Sequence, residues 1–537
     1  MLLAASMLGL FSGAPVALAQ VAGQFPRAPA SESVDERQPA APTQAALLVD
    51  PQGFGRRWQR NRNPKPQQVP IHVGTIPATF FGLQVNQLSS YPLKVPYGTF
   101  RGWDSGQANW PDLETCKAST GDPANPCFNW AHLDEELANV KKAGVTEAFY
   151  TLSRTPPWAS PNADEPGCVY YRLGPQYHGA CHPPSDLKED GSGDNLIWKN
   201  WVTAIARHVN DPAYLQTHAH INAWEVWNEF NQAPSFRGSF NQLVRLAEDT
   251  RCIITGKGTI HNIPSPGKSM PCTAKAIDPD ALMVSPSVTN PMAVFALGNF
   301  LYCDHKPQTA CTTGDAGAQA IDVINVHIYT RNGTPEGVVD RQLPKLRSIL
   351  RPAELAKPVW NGEGSWGPEI PSTLWGTDAY ARAGYIPRYF ALLWSSGVTK
   401  SFWYGYDFPT GQLYDRNKGQ LVQPEANAWT QTYNWLNGAI PAQQPFCQNN
   451  DMVYWCDFTK DDGAAYRMVW DARHDQNCST TTNPIICGET SYPVPAKFDK
   501  DWIDLNGATH AAAPNVAIGA NPILLEGNAP HALRKKK

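Results

Sequence analysis

Short apolar runs alternate with longer amphipathic segments along most of the chain. The runs have the length and composition of buried strands, and eight are found before residue 410: Thr79–Leu88, Gly98–Trp103, Glu147–Leu152, Ile221–Phe230, Ala281–Val288, Ile321–Tyr329, Pro358–Glu363 and Lys400–Tyr406. Because most of them are apolar on both faces, they are typical of a parallel sheet covered by helices rather than of a sheet with one face in water.

Helical spacing marks the segments between these strands. In the first segment, Leu133, Leu137 and Val140 form a single apolar stripe. The predicted helices are Trp130–Ala143, Asn195–His208, Phe240–Thr255, Thr377–Ser396 and Glu425–Leu436. Eight strands with helical crossovers predict an α/β fold, a (β/α)₈ TIM barrel. A doubly wound open sheet is the alternative, but no G-x-G-x-x-G follows the first strand to support it.

The pattern changes after about residue 438. Short strand-like runs follow without helical spacing between them, at Val453–Phe458, Ala465–Trp470, Trp502–Asp504, Asn515–Ile518 and Pro522–Leu525. We therefore predict a catalytic barrel over residues 71–438 and an all-β sandwich domain over 439–530. Whether Ile71–Pro77 adds a strand to the sandwich is left open.

The two ends of the chain differ from its middle. Residues 1–19 are apolar and end in Ala17-Leu18-Ala19, the pattern of a cleaved secretory signal peptide. Residues 20–70 are rich in Pro, Ala and Gln and predict a disordered linker, and residues 531–537 form a basic tail. No later run approaches the roughly 18 apolar residues of a membrane span, so we expect a secreted protein, extracellular or periplasmic.

Charge and cysteine content narrow the class of partner. The net charge of −4 shows no basic excess, so nucleic acid is not an expected partner. Twelve cysteines form six neighbouring couples: Cys116/Cys127, Cys168/Cys181, Cys252/Cys272, Cys303/Cys311, Cys447/Cys456 and Cys478/Cys487. Local disulfides are the simplest interpretation in an exported protein. The alternative is a metal site, but no C-x-x-C supports it, and we predict neither a metal nor a cofactor.

Carboxylates stand at the ends of two of the strands. The fourth strand contains Trp224-Glu225-Val226-Trp227-Asn228-Glu229, in which alternate residues share a face. Four residues of extended chain put Glu225 roughly 13 Å deeper than Glu229. Active sites of these barrels lie at the carboxyl ends of the strands, so Glu229 is the candidate for chemistry and Glu225 is expected to pair with a buried arginine.

A second carboxylate, Glu363, ends the seventh strand in Asn361-Gly-Glu-Gly-Ser-Trp. It should open on the same rim of the barrel as Glu229. Further polar and aromatic residues take positions that an ordinary core would fill with Val, Ile or Leu: Arg101, Trp103, Asn325, His327, Tyr329 and Trp403. The strand ends therefore predict an active site with two carboxylates.

These motifs together resemble a known family. Phe100-Arg101-Gly-Trp103-Asp104, Trp224-Glu-Val-Trp-Asn228-Glu229, His327-Ile-Tyr329 and Glu363 are similar to the motifs of retaining glycoside hydrolases with a (β/α)₈ barrel, most of all family 39. That clan carries its acid/base after strand four and its nucleophile after strand seven. The similarity spans roughly residues 80–407, although the Gly-Glu-Gly-Ser-Trp context of Glu363 departs from the family's usual surroundings.

The resemblance implies a role for each matching residue. Glu229 would be the general acid/base and Glu363 the nucleophile, and Asn228 would donate a hydrogen bond to a sugar 2-hydroxyl. Tyr329 or His327, together with Arg101, would orient Glu363. The implied substrate is a polysaccharide or oligosaccharide, hydrolysed with retention if the two carboxyl groups lie about 5–5.5 Å apart.

Simpler interpretations remain for several of these residues. Arg101 is alternatively a partner of Glu225 inside the barrel, and His327 is alternatively an ordinary core histidine. Most of the 19 tryptophans are expected to be core, and Trp158, Trp366 and Trp403 are those predicted to line the cleft. For the whole chain, the alternative function is a catalytically inactive barrel that binds glycan or anchors to a cell wall.

Overall fold

The computed structural model describes residues 74–528 except residues 106 and 312 and the segments 169–173, 290–293, 304–310, 331–332, 368–377 and 478–489. All of them belong to one structural unit, Asn63–Lys537. The predicted signal peptide, linker and basic tail lie outside the described residues, so these boundaries stay predictions.

Eight parallel strands form the barrel. In chain order, β1 to β8 are Phe81–Leu83, Thr99–Gly102, Glu147–Leu152, His220–Val226, Leu282–Val284, Ile324–His327, Val359–Gly364 and Val398–Trp403. They hydrogen-bond in the order β5-β4-β3-β2-β1-β8-β7-β6. Parallel bridges from Val284 to Val323 and from Thr289 to His327 join the two outer strands, so the sheet closes. The predicted TIM barrel is confirmed.

Helices cover the outside of the barrel. The longer ones, α1 to α6, are Ala131–Lys142, Leu196–Val209, Phe240–Thr255, Val294–Tyr302, Ala379–Ser395 and Glu425–Leu436. The apolar stripe predicted for α1 is buried, and α3 begins at the capping box formed by Ser239 and Gln242. Shorter helical segments complete the connections: Ala78–Phe80, Leu88–Ser90, Trp110–Leu113, Pro175–Tyr177, Tyr214–Thr217, Ala316–Gln319, Val338–Gln342, Leu343–Arg347 and Pro352–Leu355.

The interior of the barrel changes from apolar to polar along its axis. Near its amino-terminal end it is filled by one cluster: Phe149, Ala223, Val284, Val323, Trp360 and Phe402. Because alternate residues of a strand share a face, Glu225 lies one layer above Ala223 on the same side of β4. An apolar floor therefore supports a layer of polar groups.

The C-terminal region is all β. Its strands are Ile440–Pro441, Cys447–Asn450, Val453–Thr459, Ala465–Asp471, Thr490–Pro493, Trp502–Ile503, Thr509–His510, Asn515–Ile518 and Ile523–Glu526. They pair antiparallel in one large sheet and one two-stranded sheet, as expected for the predicted sandwich. Two short hairpins, Thr259–His261 with Ser269–Pro271 and Tyr414–Asp415 with Gln420–Leu421, belong to the barrel connections. Ile76 exchanges backbone hydrogen bonds with Gly438 and Ala439, but no strand forms within described residues 74–77.

One buried ion pair ties the C-terminal sheets to the barrel. Arg388 of α5 contacts Glu336 at 2.7 Å. The Trp470 indole also donates to Glu336 at 3.0 Å, and Arg388 donates to the carbonyl of Ala520. Two residues of the barrel and two of the C-terminal region thus form one polar network, and removal of either charge would leave the other buried without its partner.

Five of the six predicted cysteine couples are disulfides: Cys116–Cys127, Cys168–Cys181, Cys252–Cys272, Cys303–Cys311 and Cys447–Cys456. Cys478 and Cys487 lie outside the described residues. Over the part of the chain that the structure describes, no helix has both the length and the apolar character required to cross a membrane.

Candidate active site

The carboxyl end of β4 sets the position of Glu229. The strand ends at Val226, and Trp227 and Glu229 then adopt φ values of 77° and 43°. These values lie in the left-handed region, which non-glycine residues rarely occupy and which occurs often at functional sites. A hydrogen bond from the Glu229 amide to Ser287 Oγ, 2.9 Å long, holds this turn against the end of β5.

The expectation that Trp227 shares a face with Glu225 is wrong. Trp227 is buried outside the barrel, with its ring 6.4 Å from that of Trp198 and 5.0 Å from that of Phe236. The reason is that alternation holds only while the backbone is extended, and it ends at Val226. The turn that follows brings Asn228 and Glu229 back over the barrel mouth.

Arg101 and Glu225 form the centre of the polar layer. Arg101 Nη2 lies 2.7 Å from Glu225 Oε2, and both side chains are fully buried. Glu225 also accepts hydrogen bonds from Thr151 and Asn325. The predicted structural pairing of Glu225 with an arginine is therefore present. Burial opposes the charge of Arg101, yet the neighbouring carboxylates outweigh it and raise the pKa of Arg101.

Arg101 reaches Glu363 as well. Its Nη1 lies 2.9 Å from Glu363 Oε2, and its Nη2 donates to Asn228 Oδ1 at 2.8 Å. The other carboxylate oxygen of Glu363 accepts from the Tyr329 hydroxyl at 2.5 Å. Both alternatives considered for Arg101 thus hold together, since one guanidinium serves the deep carboxylate and the rim carboxylate at once.

His327 lies beside Glu229. Its Nδ1 is 2.9 Å from Glu229 Oε1 and 3.8 Å from Glu363 Oε2. One carboxylate oxygen of Glu229, one of Glu363 and one ring nitrogen of His327 all lie within 4.8 Å of one another. Alternate residues along β6 and just after it therefore contact three different glutamates: Asn325 contacts Glu225, His327 contacts Glu229 and Tyr329 contacts Glu363.

Opposing electrostatic effects act on the pKa of Glu363. Burial raises the pKa of this carboxyl group, and the nearby Glu229 raises it further. The charges of His327 and Arg101 and the hydrogen bond from Tyr329 lower it, and the net direction is upward. Burial also raises the pKa of the Tyr329 hydroxyl well above its usual value. The hydroxyl therefore stays protonated and keeps donating to Glu363 at ordinary pH.

Two glycines give Glu363 its close surroundings. A Cβ on Gly362 would lie 2.3 Å from Asn325 Oδ1, and one on Gly364 would lie 2.2 Å from the Tyr389 hydroxyl. Such separations are far below van der Waals contact, so only glycine lets β7 approach its neighbours here. This packing accounts for the Gly-Glu-Gly sequence around the carboxylate.

The predicted cleft tryptophans are corrected by their burial. Trp403 and Trp366 expose 0% and 1% of their surface and pack on each other at 5.1 Å. Trp403 also contacts Phe390 and Trp429, so it lies between the barrel and helices α5 and α6. The reason is alternation on β8: Phe402 faces the interior, so Trp403 faces out. Trp158 is half-buried against Trp110 and is the one of the three that retains exposed surface.

Other residues at the site were not predicted. Gln84 accepts from Arg101 at 2.9 Å and donates to the carbonyl of Gly362. Tyr404, two residues after the interior Phe402, donates its hydroxyl to Asp104 at 3.0 Å. Gln84 follows β1 and Tyr404 follows β8. Their positions at strand ends, and for Tyr404 the alternation on β8, were the sequence signals that could have identified them as site residues.

The trio Glu229, His327 and Glu363 offers the oxygen and nitrogen donors that bind zinc. The Arg101 guanidinium, however, lies 2.9 Å from Glu363 Oε2 and already balances its charge. A cation would have to displace or face this guanidinium, so the donor set does not fit a resident metal.

Comparison with known proteins identifies the fold. Neither models of protein families nor curated proteins give a match. A solved family 39 glycoside hydrolase from the gut symbiont Bacteroides cellulosilyticus WH2 aligns with a TM-score of 0.52 at 15% identity, covering 84% of this chain and 81% of that chain. A glucosidase from Croceicoccus marinus aligns with a TM-score of 0.49 at 12% identity, covering 83% of each chain. The catalytic domain of GH30 xylanase C from Talaromyces cellulolyticus aligns with a TM-score of 0.47 at 10% identity, covering 85% of this chain and 97% of that chain. The family 39 structure confirms the resemblance predicted from the sequence at the level of the fold, which is a (β/α)₈ barrel.

Proposed function

We propose that the protein is a secreted glycoside hydrolase that cleaves a polysaccharide or oligosaccharide with retention of configuration. The observation that carries the proposal is the pairing of Glu229 and Glu363 across one barrel mouth, each with its own hydrogen-bonding partner. Two carboxyl groups in different environments are what a double-displacement mechanism requires.

In the first step, Glu363 attacks the anomeric carbon and Glu229 protonates the departing oxygen, so the glycosidic bond breaks as a glycosyl ester forms. In the second step, Glu229 removes a proton from water, the water attacks the same carbon, and Glu363 leaves as a carboxylate. Arg101 and Tyr329 stabilise the ionised form of Glu363 before and after the intermediate.

The spacing of the two carboxylates supports retention rather than inversion. One oxygen of Glu229 lies within 4.8 Å of one oxygen of Glu363. Retaining enzymes hold the two groups about 5–5.5 Å apart, whereas inverting enzymes leave about 6.5–9.5 Å to admit a water. The short separation favours direct attack by the carboxylate.

The orientation of Asn228 supports its proposed contact with the sugar. Arg101 has only donors, so the Asn228 oxygen must face it, and the oxygen is 2.8 Å from Arg101 Nη2. The amide nitrogen of Asn228 is the donor proposed for the sugar 2-hydroxyl.

The test uses two substitutions and two kinds of substrate. Glu229→Ala should abolish release of reducing sugar from the natural polysaccharide, found by screening a panel, but should retain activity on aryl glycosides whose leaving group needs no proton. Added azide should accelerate the Glu229→Ala variant and yield a glycosyl azide of retained configuration. Glu363→Ala should be inactive on both kinds of substrate, and azide should yield the inverted anomer.

Glu147→Ala is the matched control. Glu147 pairs with Lys400 at the amino end of the barrel, 2.6 Å away, and should affect neither substrate. Full activity of Glu363→Ala would refute the mechanism. Binding of a glycan by wild-type protein without hydrolysis of any panel member would favour the inactive, adhesive barrel instead. Five disulfides support the proposed export, since they persist in oxidising compartments.

A further inference from the structure

A polar cluster lies next to the carboxylate pair, where strands β1, β2, β3 and β8 end. At its centre, Asp104 follows β2. Its Oδ1 lies 3.2 Å from Arg154 Nη2, and its Oδ2 accepts from the Tyr404 hydroxyl at 3.0 Å and from Asn86 Nδ2 at 3.3 Å. Side chains from three other loops therefore converge on one carboxylate that none of the catalytic steps uses.

The cluster begins beside Glu363, the proposed nucleophile. The Tyr404 amide donates to the carbonyl of Gly364, the residue that follows Glu363. Tyr404 also lies close enough to the hydroxyl of Tyr329 to raise its pKa. In a retaining mechanism the leaving group lies beside the acid/base Glu229, so the sugar attacked by Glu363 extends toward this cluster.

A wall of stacked side chains supports the cluster from behind. The Arg154 guanidinium lies 4.5 Å from the Trp103 ring and 5.5 Å from the Tyr177 ring, and the Tyr177 hydroxyl donates to Asp112. Arg154 itself adopts a φ of 66°, a backbone conformation rare outside glycine. The side chain that holds Asp104 is thus fixed by packing on two aromatic rings.

Asp104 keeps capacity for a ligand. A carboxylate accepts about four hydrogen bonds, and Asp104 receives three from the neighbouring side chains. Its side chain retains 21% exposure although it is held from three directions. A fixed, partly exposed acceptor of this kind matches the hydroxyl groups of a sugar.

The charges around the cluster select against anionic sugars. Four carboxylates, Asp104, Glu225, Glu229 and Glu363, accompany two guanidinium groups, Arg101 and Arg154. His327 lies beside Glu229 and Glu363 as well, so the selection rests on Asp104 itself, whose carboxylate can only accept hydrogen bonds. A uronic acid or sulfated sugar would add a further negative charge to a half-buried site, where like charges repel strongly.

Resting on the proposed function, we infer that Asp104 is the specificity-determining residue of the glycone subsite, where it accepts hydrogen bonds from hydroxyl groups of an uncharged sugar. Arg154 and Tyr404 act as positioning residues that hold its carboxylate. The substrate class that follows is a glycan with a neutral glycone unit next to the cleaved bond.

The experiment measures kcat and KM for 4-nitrophenyl β-glycosides of xylose, glucose, galactose, mannose and glucuronic acid. Wild-type protein should hydrolyse at least one neutral glycoside and discriminate against the glucuronide. For the best neutral glycoside, Asp104→Asn should lower kcat/KM by about 10- to 100-fold, the effect of losing a hydrogen bond to a charged group, with a raised KM. The ratio of kcat/KM for the best neutral glycoside to kcat/KM for the glucuronide should be smaller in this variant than in wild type.

Asp322→Asn is the matched control. Asp322 pairs with Arg251 at 3.0 Å with exposures of 32% and 16%, close to the 21% and 13% of Asp104 and Arg154, but it lies at the opposite end of the barrel. If Asp104→Asn unfolds, Tyr404→Phe replaces it, because it keeps the ring and removes the hydroxyl that donates to Asp104 and accepts from Asn86. This variant should raise KM with a smaller effect on kcat.

Two results would overturn the inference. One is an Asp104→Asn variant, or its Tyr404→Phe substitute, whose kcat/KM on the best neutral glycoside stays within about twofold of wild type. The other is a wild-type preference for the glucuronide. Failure of the proposed function looks different, because wild-type protein would then hydrolyse no member of the panel and release no reducing sugar from any polysaccharide.

Discussion

Tyr329 offers a sensitive test of how Glu363 is kept ionised. Its hydroxyl donates to Glu363 Oε1 at 2.5 Å, while Arg101 holds the other oxygen. In the proposed mechanism, attack requires the ionised carboxylate, so kcat/KM should fall as pH drops through the pKa of Glu363 in the free enzyme. Burial already raises that pKa. We expect an acidic limb above the usual range of a glutamate.

The Tyr329→Phe variant removes one donor to the charged form and leaves the ring in place. A hydrogen bond to a charged group contributes about 1.5–3 kcal/mol, and one pKa unit corresponds to about 1.4 kcal/mol. The pKa of Glu363 should therefore rise further, and the acidic limb should move to higher pH by about one to two units. Because Arg101 remains, the lower end of this range is expected. The loss of activity should be greatest on the acidic side and smaller above the limb.

The assay is the pH dependence of kcat/KM with an aryl glycoside, measured for wild type, Tyr329→Phe and Tyr150→Phe. Tyr150 is a matched control, because it is a buried tyrosine that donates to a backbone carbonyl, that of Ala108, at 2.5 Å. Its removal should lower the melting temperature without moving the limb. An acidic limb that stays in place or moves to lower pH in Tyr329→Phe would refute the reasoning.

Three further predictions concern stability. Burial raises the pKa of Glu114 to about 7, so the folded state keeps a proton that the unfolded chain releases. The free energy of unfolding should therefore fall by roughly 3 kcal/mol as pH rises from about 4.5 to 7. Glu114→Gln should remove this dependence, which urea unfolding at several pH values would measure. Gly364→Ala places a methyl group 2.2 Å from the Tyr389 hydroxyl and should lower the free energy of unfolding by about 1–3 kcal/mol or prevent folding. Circular dichroism and thermal melting would detect either result, and an unchanged melting temperature would contradict the packing argument. Arg388→Met leaves Glu336 buried without its cation and should destabilise by about 3–5 kcal/mol, whereas Glu336→Gln combined with Arg388→Met should recover part of that loss in the same unfolding assay.

Local pattern was sufficient for the elements of the fold and for the candidates at their ends. Strand Glu147–Leu152 and helices Phe240–Thr255 and Glu425–Leu436 have the predicted limits. The alternation on β6 also placed Asn325 and His327 on one face, because side-chain direction in a strand depends on the backbone of that strand alone. The same rule placed Glu225 on the interior face of β4, where it pairs with Arg101.

Prediction from the sequence failed where the backbone leaves the extended conformation or where a face is decided by distant neighbours. Trp227 turned outward because the strand ended before it, and Trp403 and Trp366 were buried because helices α5 and α6 cover that side of β7 and β8. No local signal reports which helix will cover a tryptophan, since that depends on closure of the whole barrel.

The sequence by itself therefore determined the barrel, the β domain, the buried Glu225 on β4 and the carboxylate of Glu363 on β7. Only the tertiary structure decided that one arginine, Arg101, serves both Glu225 and Glu363, and that His327 contacts Glu229 while Tyr329 contacts Glu363. It also brought Asp104 together with Arg154 and Tyr404. The physical reason is that strand order and closure bring residues more than a hundred positions apart within hydrogen-bonding distance, and no local periodicity encodes that proximity.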